Sequence, residues 1–326
     1  MSNFGHNLSC NGLKAIYFAH GTFVGHDPFG LVDFLKLPRI SKRLDKGVRS
    51  MLSASTNQIL KDTGNFTQAY IELAEKSLNI KARKFSWSSA NHHYARVKGL
   101  TDLVRQIALD IQANQLNSQD EIMLIGHSHA GQIFSILSRL VNMRDHKEIE
   151  KYILDNFDPQ SEFKNGLKKI KGLGFKYVTL GTPPRYQWYH NEGELLQLVN
   201  HTTKSLSMPG VKGIATIDYG DYIQKIGQQG SDIAATIREE RLANKDLDGI
   251  LGIGKDQKVL RQNLEKSSRP IGAGYTKLID FQANMPTSYR NSFTSIFGHG
   301  IYTRYDKMFL LFSTIAEHFT GQSSSQ

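Results

Sequence analysis

Residues 121–131, Glu121-Ile-Met-Leu-Ile-Gly126-His127-Ser128-His129-Ala130-Gly131, are the stretch that decides how this 326-residue chain folds. Residues 121–125 form an apolar run too short for a helix and are closed by a glycine, which predicts a buried strand. Residues 132–141 then carry Ile133, Phe134, Ile136, Leu137 and Leu140, a mostly apolar helix suited to burial between layers. A strand therefore runs straight into a helix, with Ser128 at the turn.

Working outward, the same pattern repeats. Residues 13–19 (LKAIYFA) read as a buried strand stopping at His20-Gly21, and residues 84–88 (KFSWS) alternate as a strand does. Residues 175–180 (FKYVTL) read as a strand ended by Gly181-Thr182-Pro183-Pro184, and 213–218 (GIATID) as another. Helices are expected over 67–78, 100–116 and 307–319. Short strands alternating with helices predict an α/β fold, a mostly parallel central sheet with helices on both faces. One domain over 1–326 accommodates the length, with lid or cap insertions expected near 30–80, 145–171 and 225–290. In such sheets ligands gather at the carboxyl ends of strands, which singles out His20, Gly21, Ser128, Thr182 and Asp221.

The composition is that of an ordinary water-compatible chain: 39% hydrophobic, 10% aromatic and 21% charged. No apolar run reaches the ~18 residues of a membrane span, and the N-terminus lacks the pattern of a secretory signal. A cytoplasmic location is the default expectation, and export without a cleaved signal would leave the same sequence. The single cysteine, Cys10, forms no internal disulfide and supplies no metal cluster. Part of the net charge of +10 lies in Lys36, Arg39, Lys42, Arg43, Lys46 and Arg49, opposed only by Asp45. Two readings stand for residues 36–49: a solvated face, or a patch meeting an anionic membrane surface or an acidic partner. No basic motif interleaved with aromatics points to nucleic acid.

Gly126-x-Ser128-x-Ala130 has the chemistry of a nucleophile turn. A serine hydroxyl needs exposure, a fixed position and a base before it attacks a carbonyl. A sharp strand-to-helix bend lifts it clear of the sheet, and only small residues two positions either side avoid the neighbouring elements. The same bend sets Ser128 at a helix N-terminus, so the His129 N–H is a candidate oxyanion donor. A zinc reading of His127 and His129 is weaker, because they share a face only if the strand continues through them and no carboxylate follows at ligand spacing.

His20-Gly21-Thr22-Phe23, Gly-His-Ser-His-Ala-Gly and a late histidine together resemble the α/β-hydrolase superfamily, and within it bacterial lipase- or esterase-like serine hydrolases. Phe85-Ser86-Trp87-Ser88-Ser89-x-Asn91 and Val178-Thr179-Leu180-Gly181-Thr182-Pro183 are similar to segments of such enzymes. The resemblance covers about residues 13–24, 83–141, 173–185, 211–222 and 296–319, and Ala130 departs from the commoner glycine. It implies a triad in the order Ser, acid, His, with the histidine after the last strand, hence His299 in Gly298-His299-Gly300. His318 lies inside the closing helix, and His190 and His201 come before the expected acid. Asp218, Asp221 and Asp232 all satisfy the order for the acid, and Gly220-Asp221-Tyr222-Ile223 resembles the acid-bearing turn of the family. By resemblance the second oxyanion N–H belongs to Thr22, with Phe23 the alternative.

Phe23 and Trp87, with Phe29 and Trp188, are candidates for an apolar acyl pocket. The expected function is hydrolysis of a lipid-like carboxylic ester without any cofactor or metal. Phospholipase, thioesterase, amidase and acyltransferase chemistry use the same machinery, and an inactive binding module on the same scaffold is the rival from another class.

Overall fold

The computed structural model describes residues 1–21, 65–113, 115–142, 147–158, 160–210, 219–227, 232, 235–253, 265–283 and 298–321. Its frame is a six-stranded sheet, every neighbouring pair parallel: β1 (Leu13–Ala19), β2 (Lys81–Phe85), β3 (Glu121–His127), β4 (Gly174–Leu180), β5 (Leu195–Asn200) and β6 (Tyr275–Ile279). Their order across the sheet is β2-β1-β3-β4-β5-β6. The fold class read from the sequence, α/β with a parallel sheet between helices, is what the chain adopts.

The apolar runs in these strands have a direct cause. Sheets covered on both faces bury both sets of alternate side chains, so their strands lose the polar half of the pattern. Tyr17, Leu124 and Tyr177 enter one core, whereas Phe18, Ile125 and Val178 enter the other. Helices α1 (Ser2–Cys10), α2 (Gln68–Leu78) and the closing helix, labelled α9 below, cover the second core. The Thr67 hydroxyl caps α2 by accepting from the Tyr70 N–H at 3.1 Å.

The first core lies under α3 (His93–Gln112), α4 (Ala130–Asn142), α5 (Lys147–Phe157) and α6 (Glu162–Ile170). Residues 145–171, expected as an insertion, thus carry two helices that help build the main core. Ile149, Ile153, Phe163, Leu167 and Ile170 are buried there at helical spacing, with the lysines turned outward. Buried Asp158 accepts from the Phe163 N–H and from Arg105 of α3, both at 2.8 Å, which fastens the start of α6 to the core.

Three strands correct the sequence reading. The strand placed at 84–88 is Lys81–Phe85, because the chain must leave the sheet before Trp87 turns inward to His20. Leu195–Asn200 and Tyr275–Ile279 are strands that the sequence reading left unassigned. The remaining helices are α7 (Tyr222–Ile226), α8 (Arg238–Leu251) and α9 (Met308–Thr320). Within the expected 225–290 insertion, α8 buries Leu247 in the core, packs partly buried Ile250 and Leu251 against it, and is otherwise largely solvated. Among the described residues no helix is long and apolar enough to cross a membrane. Thr22, Phe23, Phe29, the basic residues 36–49, Asp218 and the strand expected at 213–218 lie outside the described residues.

Candidate active site

The chain leaves β1 for β2 on one side and returns to β3 on the other. Connections that diverge in this way open a crevice at the carboxyl ends of the two strands, β1 and β3. His20-Gly21 follows β1 and Ser128 follows β3, so both sit at that crevice. The two turns touch: a Cβ on Gly21 would overlap the Ser128 Cβ and come within 2.9 Å of the His127 carbonyl oxygen. Trp87 is buried here, its indole N–H donating to the His20 carbonyl at 2.8 Å.

Ser128 stands at φ +56°, a left-handed conformation rarely taken by a residue with a side chain. Its surroundings hold it there. The Ser128 N–H donates to the Leu180 carbonyl at 2.9 Å, and the Thr182 hydroxyl donates to the Ser128 carbonyl at 2.7 Å. A Cβ on Gly126 would meet the Phe134 ring at 2.6 Å, so a small residue is required two positions before the serine. Ser128 is fully buried, with its Oγ 3.4 Å from His129 Nδ1. Burial first, then the charges of Arg96 and His299, hold the His129 ring well below the ordinary histidine range, so it stays neutral.

Asp221 and His299 meet. His299 Nδ1–H donates to Asp221 Oδ2 at 2.8 Å, both side chains wholly buried. Asp221 is positioned by β5, since its N–H donates to the Asn200 carbonyl at 2.9 Å and its Oδ1 caps α7 by accepting from the Gln224 N–H at 2.9 Å. The two loops lie back to back through glycines in the left-handed half of backbone space, Gly220 at φ +100° and Gly298 at φ +78°. A side chain on Gly298 would run into the Gly220 carbonyl. Burial alone would raise the Asp221 carboxyl, but the His299 charge and hydrogen bond, with Arg269 and the Gln224 N–H, bring it below the usual carboxylate range.

Several contacts bring this pair alongside the serine turn. His127 Nε2–H donates to the His299 carbonyl at 2.9 Å, and the two rings lie 4.6 Å apart. Gly181, next after the residue that accepts from Ser128, packs against the Asp221 carboxylate and Tyr302.

Sequence reasoning did not single out Tyr302, Asn200 or Arg269. The Tyr302 hydroxyl donates to Asp221 Oδ2 at 2.7 Å. Arg269 Nη1–H donates to the Asp221 carbonyl at 2.8 Å and the Gln224 amide oxygen at 2.7 Å. Asn200 Nδ2–H donates to the Gly298 carbonyl at 3.0 Å. None of these contacts has a local sequence signal, because each joins residues more than 40 positions apart.

The other candidates lie elsewhere. His201 Nδ1 accepts from Arg269 at 3.0 Å, and His318, in α9, stacks on Tyr275 of β6. Asp232 serves a separate charged cluster: Arg96, fully buried, lies 2.8 Å from it without hydrogen-bond alignment, and Arg185 lies 3.3 Å away. Burial would raise the Asp232 carboxyl, and the charges of Arg96 and Arg185 hold it well below the usual range. The Arg96 guanidinium also donates to the Tyr186 hydroxyl at 2.9 Å, which donates to His93 Nδ1 at 2.6 Å; His93 Nε2–H donates to the Gly252 carbonyl at 3.0 Å.

The chain matches no protein-family model, no curated protein and no solved structure.

Proposed function

We propose that this chain is a serine hydrolase of the α/β-hydrolase type, acting on carboxylic esters and preferring lipid-like ones. The observation that carries the reading is the buried Asp221–His299 hydrogen bond, set at the same strand ends as a serine in a left-handed turn. Because Nδ1–H donates its hydrogen bond to the carboxylate and keeps its proton, the lone pair of the neutral imidazole is on Nε2, the nitrogen that takes the serine proton on this reading.

On this reading Ser128 Oγ bonds to the ester carbonyl carbon while His299 Nε2 takes the serine proton. His299 returns that proton to the departing alkoxide as the C–O bond breaks, leaving an acyl-enzyme. Water repeats the sequence and releases the acid. The N–H groups of His129 and Thr22 are the proposed oxyanion donors, and each such donor accounts for roughly 10²–10³ in rate. Phe23 is the proposed acyl contact. Trp87, whose indole N–H donates to the His20 carbonyl, is a second proposed acyl contact. The lipid preference rests on the resemblance of the sequence motifs and on the basic residues 36–49, a proposed contact with anionic membrane.

The test is ester turnover across acyl chain lengths. Ser128→Ala and His299→Ala are each expected to cost roughly 10⁴–10⁶ in kcat, and the double variant little more, because they act as a unit. Additive losses count against the assignment. Rates falling steadily from acetyl to longer acyl esters overturn the lipid preference.

A further inference from the structure

Tyr302 sits in a 3-10 turn, residues Gly300–Thr303, one residue beyond the loop that carries His299. It is completely buried, edge-on to Phe281 at 5.1 Å and packed beside the His127 and His299 rings at 5.6 and 6.1 Å. Its hydroxyl has a fixed sense. The Asn200 N–H donates to it at 2.8 Å, so its own proton is directed to Asp221 Oδ2 at 2.7 Å. That oxygen also receives the His299 Nδ1–H. Burial and the adjacent carboxylate push the Tyr302 phenol well above its ordinary range, so it remains a donor throughout the working pH range.

We infer that Tyr302 is a positioning residue of the Asp221–His299 pair, its hydroxyl occupying one lobe of Oδ2 so that only the lobe facing His299 stays open. This rests on the proposed role of His299 as base. A carboxylate fixed by one donor on Oδ1 and one on Oδ2 cannot rotate, and the imidazole is held to a single direction. The hydroxyl also draws negative charge from the oxygen that stabilises the imidazolium. Removing it therefore has two effects: the carboxylate loses its orientation, and the charge facing the imidazolium grows. The groups facing His299 are Asp221 and Tyr302, His127 from the end of β3, and His129 at the start of α4, with Arg269 behind Asp221.

Tyr302→Phe keeps the ring and removes only the hydroxyl. The expected result is a fall of about tenfold in kcat, the size of one lost charge-assisted hydrogen bond, with KM unchanged. The acid limb of the kcat/KM profile moves to higher pH by about half a unit or more. In an Asp221→Asn background, adding Tyr302→Phe changes kcat less than about twofold, because the hydroxyl acts through the carboxylate. A kcat within about twofold of wild type with an unmoved acid limb overturns the inference, as does an equal loss in both backgrounds.

Proton NMR separates this outcome from failure of the hydrolase reading. The His299 Nδ1–H resonance, identified by its loss in His299→Gln, is expected to move downfield in Tyr302→Phe whether or not the protein turns over esters. An unmoved resonance in the folded variant refutes the positioning role. A wild type that neither turns over esters nor reacts with a fluorophosphonate refutes the hydrolase reading alone.

Discussion

Acidification from pH 7 to pH 5 is expected to weaken the fold through two adjacent histidines. His92 and His93 open α3, and burial is the main reason each is pushed down to about 4. His92 Nδ1 accepts from the Ala95 N–H at 3.2 Å. His93 Nδ1 accepts from the Tyr186 hydroxyl. Both contacts require the unprotonated nitrogen. In the unfolded chain each ring takes its proton near pH 6.5. Between pH 6.5 and 4 the unfolded state thus binds more protons than the folded one. The stabilisation is complete above pH 6.5 and is lost as pH falls toward 4, below which no more is lost.

Integrating that difference from pH 7 to pH 5 gives about 2 kcal/mol for each histidine. His93→Gln isolates one of them. The amide oxygen can accept from Tyr186 and the amide nitrogen can donate to Gly252, so the variant imitates the neutral ring and cannot titrate. Guanidinium unfolding at the two pH values is expected to show a loss from pH 7 to pH 5 that is about 2 kcal/mol smaller in His93→Gln than in the wild type. Identical losses in the two proteins refute the claim that His93 is buried in its neutral form.

Other predictions follow from the same contacts. Asp221→Asn is expected to slow labelling of Ser128 by a fluorophosphonate roughly 10⁴-fold. Whichever way the amide turns, its NH₂ confronts either the Gln224 N–H or His299 Nδ1, and a folded variant that labels within tenfold of wild type contradicts this. Asn200→Ala removes an amide that donates to the Gly298 carbonyl and accepts from the Phe281 N–H, and a stability loss of about 2–3 kcal/mol in denaturant titration is expected. Gly298→Ala forces a side chain into a left-handed residue against the Gly220 carbonyl, so the loops carrying Asp221 and His299 must separate. The His299 Nδ1–H resonance is expected to disappear from its low-field position, and its persistence argues against the back-to-back arrangement.

What could be read from the sequence was set by range. Residues 121–131 revealed a strand, a turn and a helix because burial on both faces leaves an uninterrupted apolar run, and because a strained serine needs small neighbours. The meeting of Asp221 with His299 was an expectation of family order, and no local pattern requires a contact across 78 positions. Leu195–Asn200 carries no clear strand signal although it is wholly buried, since four apolar residues interrupted by Gln197 and without a helix-length extension suit several elements equally well. That strand anchors Asp221 through the Asn200 carbonyl. Residues 145–171 read as an insertion because charged residues of both signs dominate their composition, whereas the apolar residues at helical spacing decide what is buried. Tyr302 gave no signal, because a tyrosine near a chain's last helix is ordinarily core packing.

The most direct test of the account is intact-mass and peptide-mapping analysis after reaction with a fluorophosphonate. The expected outcome is a single adduct on Ser128, formed rapidly in the wild type, absent in Ser128→Ala and strongly slowed in His299→Ala. A folded wild type that remains unmodified, or an adduct carried by another residue, contradicts it.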